Sequence, residues 1–129
     1  MLSDLRSALL ARSEVVALVG QRIDPFARAE AGSDELPAIY YTAEDEEVVL
    51  AMQPQALRSS LVSYVCISHS LATSDEVADE VTTALDGQTI TNTSAVRLVN
   101  RERDTIEPFD GGQQYFYTTT ASFQVWHTA

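Results

Sequence analysis

The sequence contains no lysine. Its eight basic residues are all arginine and stand against nineteen acids, for a formal net charge of −11. A chain this acidic does not hold a nucleic-acid backbone by counterion release, so unaided nucleic-acid binding is excluded. The same bias serves solubility, repulsion of DNA or life in high salt, and a lysine-free composition also follows from GC-rich coding. A single cysteine, Cys66, rules out an internal disulfide and a cysteine-based zinc site. It agrees with synthesis in a reducing cytoplasm. Four prolines and five glycines among 129 residues, with 45% hydrophobic residues, are a globular composition and not a disordered one. No apolar run approaches the ~18 residues of a membrane span. The opening "MLSDLRSALLARSEVV" has early acids and no apolar core of a signal peptide. The length fits one domain, residues 1–129. Such a domain buries about two-thirds of its unfolded surface and needs no covalent staple.

What is present is alternating helical and strand periodicity. Leu2, Leu5 and Leu9, widened by Leu10, make an apolar stripe that predicts a helix over 2–12. Ser13 is placed to cap a second short helix, 14–19, with Val15 and Leu18 inward and Gly20 just past its end. Asp24 before Pro25 predicts an extended "RIDPF", and "ARAEAGSDEL" reads as a loop. "PAIYYT" predicts a strand, interrupted by charge at Glu44, Asp45, Glu46 and Glu47 before further apolar residues. "QPQALR" reads as a turn and "SSLVSYVCISHS", rich in β-branched residues, as a strand. "TSDEVADEVTTALDG" carries the strongest helix signal. Thr73 and Glu76 fit a capping box. Val77, Val81, Ala84 and Leu85 form one stripe, with Asp75, Glu76, Asp79 and Glu80 largely elsewhere and Gly87 as the stop.

"SAVRLVNRERDTIEP" predicts a strand with Val96 and Leu98 on one face. In "QYFYTTTASFQVWHT", Tyr115, Tyr117, Ala121, Phe123 and Val125 share a face. Thr118, Thr120, Ser122 and Gln124 share the other, flanked by Phe116 and Trp126. Pro108 and Gly111-Gly112 suit a long hairpin between these two strands. The expected order is α-α-β-β-β-α-β-β, an α+β fold.

Chemistry is sought first in "NRERDTIEPFDGG", residues 100–112, the most charged stretch. Glu102, Asp104 and Glu107 are the acid/base candidates. Strand parity puts Glu102 and Asp104 on one face and Arg101 and Arg103 on the other, which describes a two-faced charged strand end that makes salt bridges within the fold or to another subunit. Cys66 and His69 invite a nucleophile–base dyad, but a separation of three places them on opposite faces of a strand, and a lone cysteine is more often a buried apolar residue. His69 with His127 would need a third metal ligand that no spacing supplies. Glu44 to Glu47 offers oxygen ligands for a hard cation. Without a calcium-loop spacing, a charge run is usually a solvated turn or a guarded strand edge. Phe116 and Trp126, on the polar face of the last strand, are read equally as packing under a loop or as subunit contacts. No phosphate loop, serine elbow or zinc motif occurs. The expectation is therefore a non-enzyme without catalytic, metal or cofactor residues.

The order and spacing of these segments resemble a known family. The resemblance runs through "LRSALLARSEVVALVGQRI", "PAIYYT", the strand around Cys66, "DEVADEVTTALDG", "RERDTIEP" and "YFYTTTASFQVWH". It covers nearly the whole chain and is most telling at "ALVGQRI", "ALDG" and the "ERD…E" strand. These are similar to the tail-completion or tail-terminator proteins of long-tailed bacteriophages. The resemblance implies an α+β domain with helices on one face of a mostly antiparallel sheet. It implies a structural virion protein at the head-proximal end of the tail, assembled in the host cytoplasm. Such proteins form a homo-oligomeric ring, commonly a hexamer, between the tail tube protein and the head–tail connector, or stopper, protein. The ring ends tube growth and lets DNA through without specific binding, and no membrane is involved.

Under that resemblance, Arg101, Glu102, Arg103, Asp104, Glu107, Phe116 and Trp126 are candidate subunit or connector contacts. Glu44, Asp45, Glu46 and Glu47 are candidate lumen or edge acids. The reading from a different class is a monomeric acidic binding module, a regulatory protein or nucleic-acid mimic.

Overall fold

The computed structural model describes residues 1–25, 36–46, 57–106 and 116–128. The elements are α1 (Leu2–Leu10), α2 (Ser13–Val19), β1 (Ile23–Pro25), β2 (Ala38–Glu46), β3 (Leu57–Ser68), α3 (Leu71–Leu85), β4 (Ala95–Ile106) and β5 (Phe116–Thr128). They occur in the expected order. The strands form one sheet, β1-β2-β3-β5-β4. Only the short β1 runs parallel to its neighbour; every other pair is antiparallel.

The helices cover one face of the sheet. Ile39, Val62, Tyr64, Cys66, Val96, Ala121, Phe123 and Val125 point into the core from the strands. Leu5 and Leu9 of α1, Val15 and Val19 of α2, and Val77, Ala78, Val81 and Leu85 of α3 meet them. Helix α3 lies on β3 and β5, and α1 and α2 pack against α3. The predicted stripes hold at Leu5, Leu9, Val15, Val77, Val81 and Leu85. In α2, Val19 is fully buried and Leu18 only partly. Inside the core, Tyr64 meets Phe123 edge-on at 5.9 Å, a favourable quadrupole geometry. Burial pushes the Tyr64 phenol pKa up.

Several boundaries differ from the sequence expectation. α1 ends at Leu10, and α2 begins at Ser13 with Arg12 as N-cap. Gly20 does close α2, at φ 61°, a left-handed value that favours glycine. α3 starts a turn before the predicted capping box, with Ser70 as N-cap, so Thr73 lies inside the first turn. A serine network accounts for the early start. The Ser68 hydroxyl accepts from the Ser70 N–H at 3.0 Å and lies 3.0 Å from the Ser74 hydroxyl. Buried Ser74 donates to the Tyr117 carbonyl at 2.7 Å. These hydroxyls engage polar groups at the β3–α3 junction, and the helix starts after two residues.

The charge at Glu44 to Glu46 does not interrupt β2. The strand continues through it, pairing Glu44 with Leu61 and Glu46 with Ser59. β4 likewise carries the charged stretch to Ile106, opposite Phe116. The predicted loop after Phe26, the apolar run after Glu47, the Pro108 and Gly111-Gly112 turn, and Tyr115 lie outside the described residues.

Candidate functional site

Strand β4 is an outer strand, and its charges are sorted between two faces by one irregularity. Leu98 pairs with Phe123, but Asn100 pairs with Ser122, so Val99 is an extra residue at a β-bulge. In an unbroken strand, Val96 and Leu98 would share their face with Glu102 and Asp104. The bulge reverses that. Arg101 pairs with Ala121 and Arg103 with Thr119, so both arginines join Val96 and Leu98 on the helix side. Glu102 and Asp104 face the uncovered side. Val99 itself is 54% exposed.

The arginines meet α3. Arg101 Nη1 donates to Asp79 Oδ1 at 2.6 Å, and Arg103 Nε donates to Asp75 Oδ1 at 2.9 Å. The Thr119 hydroxyl donates to the same Asp75 oxygen at 2.8 Å. The Arg103 hydrogen bond, then that of Thr119, holds the Asp75 carboxyl below the usual carboxylate range. The same contact pushes the Arg103 pKa up. This is an intrachain clamp between helix and sheet edge. Asp75 and Asp79 lie four apart on α3, and Arg101 and Arg103 lie two apart on β4, so each pair shares a face and the spacing was readable. The bulge that aims one pair at the other was not.

The outer backbone of β4 is partly occupied as well. The Gly87 N–H donates to the Val96 carbonyl at 2.9 Å, and the Leu98 N–H donates to Asp86 Oδ1 at 2.8 Å. The end of α3 thus covers the first half of an edge that would otherwise invite strand pairing. Gly87 has φ 70°, which permits the turn.

On the uncovered face, Glu102 accepts from the Asn100 side-chain amide at 3.0 Å, and Asp104 accepts from the Thr105 N–H at 2.8 Å. Phe116 is half-buried with its ring centroid 4.9 Å from that of His69. Trp126 is half-buried, opposite Ser59 and Ala95. Its carbonyl accepts from the Ser94 N–H at 2.6 Å. Glu44 is exposed on this face. Asp45 and Glu46 are placed by their backbone on β2, and Glu47 and Glu107 lie outside the described residues.

The discarded chemistries can be located. Cys66 is fully buried in the core, and burial pushes its thiol pKa up to about 12. His69 follows one end of β3, whereas His127 pairs with Arg58 near the other, ~30 Å or more away at ~3.3 Å per residue. His127 Nε2 instead lies 2.9 Å from the hydroxyl of buried Ser60. No cluster of metal-ligating side chains occurs among the described residues. Among the described residues, no helix is long and apolar enough to cross a membrane.

A groove lies on the opposite, helical side. It is about 430 Å³ and lined in part by Ala8, Arg12, Glu14 and Gln88. Arg12 is already tied to Glu80 at 2.8 Å.

No protein-family model matches this sequence, and no curated protein does. Among solved structures, the chain is similar to a chain of the virion of a native gene transfer agent particle, with a TM-score of 0.72. The match covers 98% of this chain and 93% of that one at 14% identity. What the two share is the fold, end to end.

Proposed function

We propose that the protein is a structural component of a phage-like virion, acting as a ring at the head-proximal end of the tail. In this reading the ring, six-membered as the resemblance implies, caps the tail tube, ends its polymerisation and docks the head connector. The observation that carries the proposal is the end-to-end fold likeness to a chain of a gene transfer agent virion. The likeness takes in nearly all of that virion chain as well as of this one. The reading is non-enzymatic.

The charged features fit such a role. Arg101 and Arg103 are held by α3, so their part is to stiffen the sheet edge. Glu102, Asp104, Phe116 and Trp126 face away from the helices and are the members placed to meet a neighbouring subunit or the connector. A ring multiplies the −11 of each chain, and acids such as Glu44 lining a lumen would let DNA slide without sticking.

The test is electron microscopy of tails assembled with and without the protein. Loss of the protein is expected to give tails of uncontrolled length, or tails detached from heads. Attached tails of normal length in its absence would refute the reading. A strict monomer that binds a basic partner would instead favour an acidic binding module.

A further inference from the structure

The face of the sheet away from the helices is uncharged along its middle and charged at its rims. On the described part of β3 and β5 it presents hydroxyl, amide, aliphatic and aromatic side chains, among them Leu61, Val65, Gln124, Phe116 and Trp126, while Ser59 and Thr118 are buried at its two ends. Many of these are half-exposed, and Ser63 and Ser122 bond each other across it at 2.9 Å. One cross-strand row is decisive. It runs Glu44 on β2, Leu61 on β3, Gln124 on β5 and Arg97 on β4. Glu44 and Arg97 end this row with opposite charges. Both are exposed, and neither has a partner among the described residues. Arg6, Arg12, Arg22, Arg101 and Arg103, the other arginines with described side chains, all have one.

We propose that this face docks a second copy of the chain, as a two-fold pair in which Arg97 of each copy meets Glu44 of the other. A two-fold axis along the strands, between β3 and β5, lays β4 of one copy over β2 of the other. It maps the Glu44–Arg97 row onto itself reversed, so two opposite-charge contacts form at once. Two sheets facing each other lie ~10 Å apart, a gap that one arginine and one glutamate fill together. Aligned sheets cross at about −30°, which displaces rim positions ~7 Å from the axis by only ~4 Å, within the reach of arginine. Four strands at ~4.8 Å spacing offer at most roughly 500 Å² per copy, near the lower limit for a specific interface. The pair concerns the free chain in solution and goes beyond the ring reading.

Sedimentation velocity of the full chain over a concentration series tests it. A species of twice the 14.1 kDa chain mass is expected. Because Trp126 is the single tryptophan, its emission should shift to the blue over the same range. E44R and R97E, at exposed positions, should each keep the far-ultraviolet spectrum and raise the pair's dissociation constant about tenfold or more. An equimolar mixture of E44R and R97E should restore pairing, because both contacts are again of opposite charge. A monomer at all concentrations, single reversals without effect, or a mixture that fails to recover would each overturn the proposal. Tail imaging is a separate readout, so loss of the pair leaves the ring reading standing, and the reverse.

Discussion

Cys66 gives the sharpest test of the packing. Its sulfur is fully buried on β3, between β2 and β5 and on the helix-covered face. The perturbation is a thiol-reactive chromogenic disulfide at pH 8. An ordinary thiol of pKa 9.0 is then about 10% thiolate; at about 12 the fraction is ~0.01%, a thousandfold loss of nucleophile. Burial also bars the reagent, so labelling must pass through opening of the sheet. If that opening costs even ~5 kcal/mol, the observed rate falls to about one part in several thousand of that for the unfolded chain. In rising urea, the logarithm of the rate should climb with the slope of global unfolding, because strands on both sides must separate before the sulfur is exposed. Stoichiometric labelling within seconds in native buffer would refute the reasoning. So would a rate indifferent to urea, which would mark local access to a reactive thiol.

Other outcomes follow from the same packing. Phe123→Ala should cost ~3–5 kcal/mol, and Phe123→Leu less, mainly the edge-on contact with Tyr64 at about 0.5–1.5 kcal/mol. Thermal melts check this, and a loss below ~1 kcal/mol for the alanine variant would contradict its place in the core. Asp75→Asn should lower stability at neutral pH by on the order of 1 kcal/mol, after allowance for solvent screening. The Asp75 pKa is lower in the folded chain, so its contribution is complete above the unfolded value of 3.8 and is lost as the pH falls below it. Urea melts of the two proteins should therefore converge in acid, and a gap that widens there would show the sign to be wrong.

The legible parts of this fold were those with unbroken periodicity. The stripe through Val77, Val81 and Leu85 and the alternation through Ala121, Phe123 and Val125 each name a face directly, because burial follows the helix or strand repeat. Helix starts were harder. "SHSLATSDE" offers several capping residues, and the choice of Ser70 depends on Ser74 reaching the Tyr117 carbonyl, a partner 43 residues away. Charge misled at β2, where Glu44 to Glu46 looked like a break although exposed strand positions tolerate acids. On β4, parity separated Arg101 and Arg103 from Glu102 and Asp104 correctly. Which set met α3 depended on Val99, and no local propensity distinguishes a bulged valine from a paired one. The acids of α3 were placed only off its apolar stripe; Asp75 and Asp79 prove to be half of a clamp because their partners arrive from a later strand.

The bulge at Val99 also makes one position of β4 spare in length. Removing Val99 would join Leu98 to Asn100, and every downstream pair, Asn100 with Ser122 through Ile106 with Phe116, would keep its partner and its face. A one-residue change in the length of this strand would thus be absorbed at one point. There an insertion or deletion changes the curvature of the sheet edge without exchanging its inner charges for its outer ones.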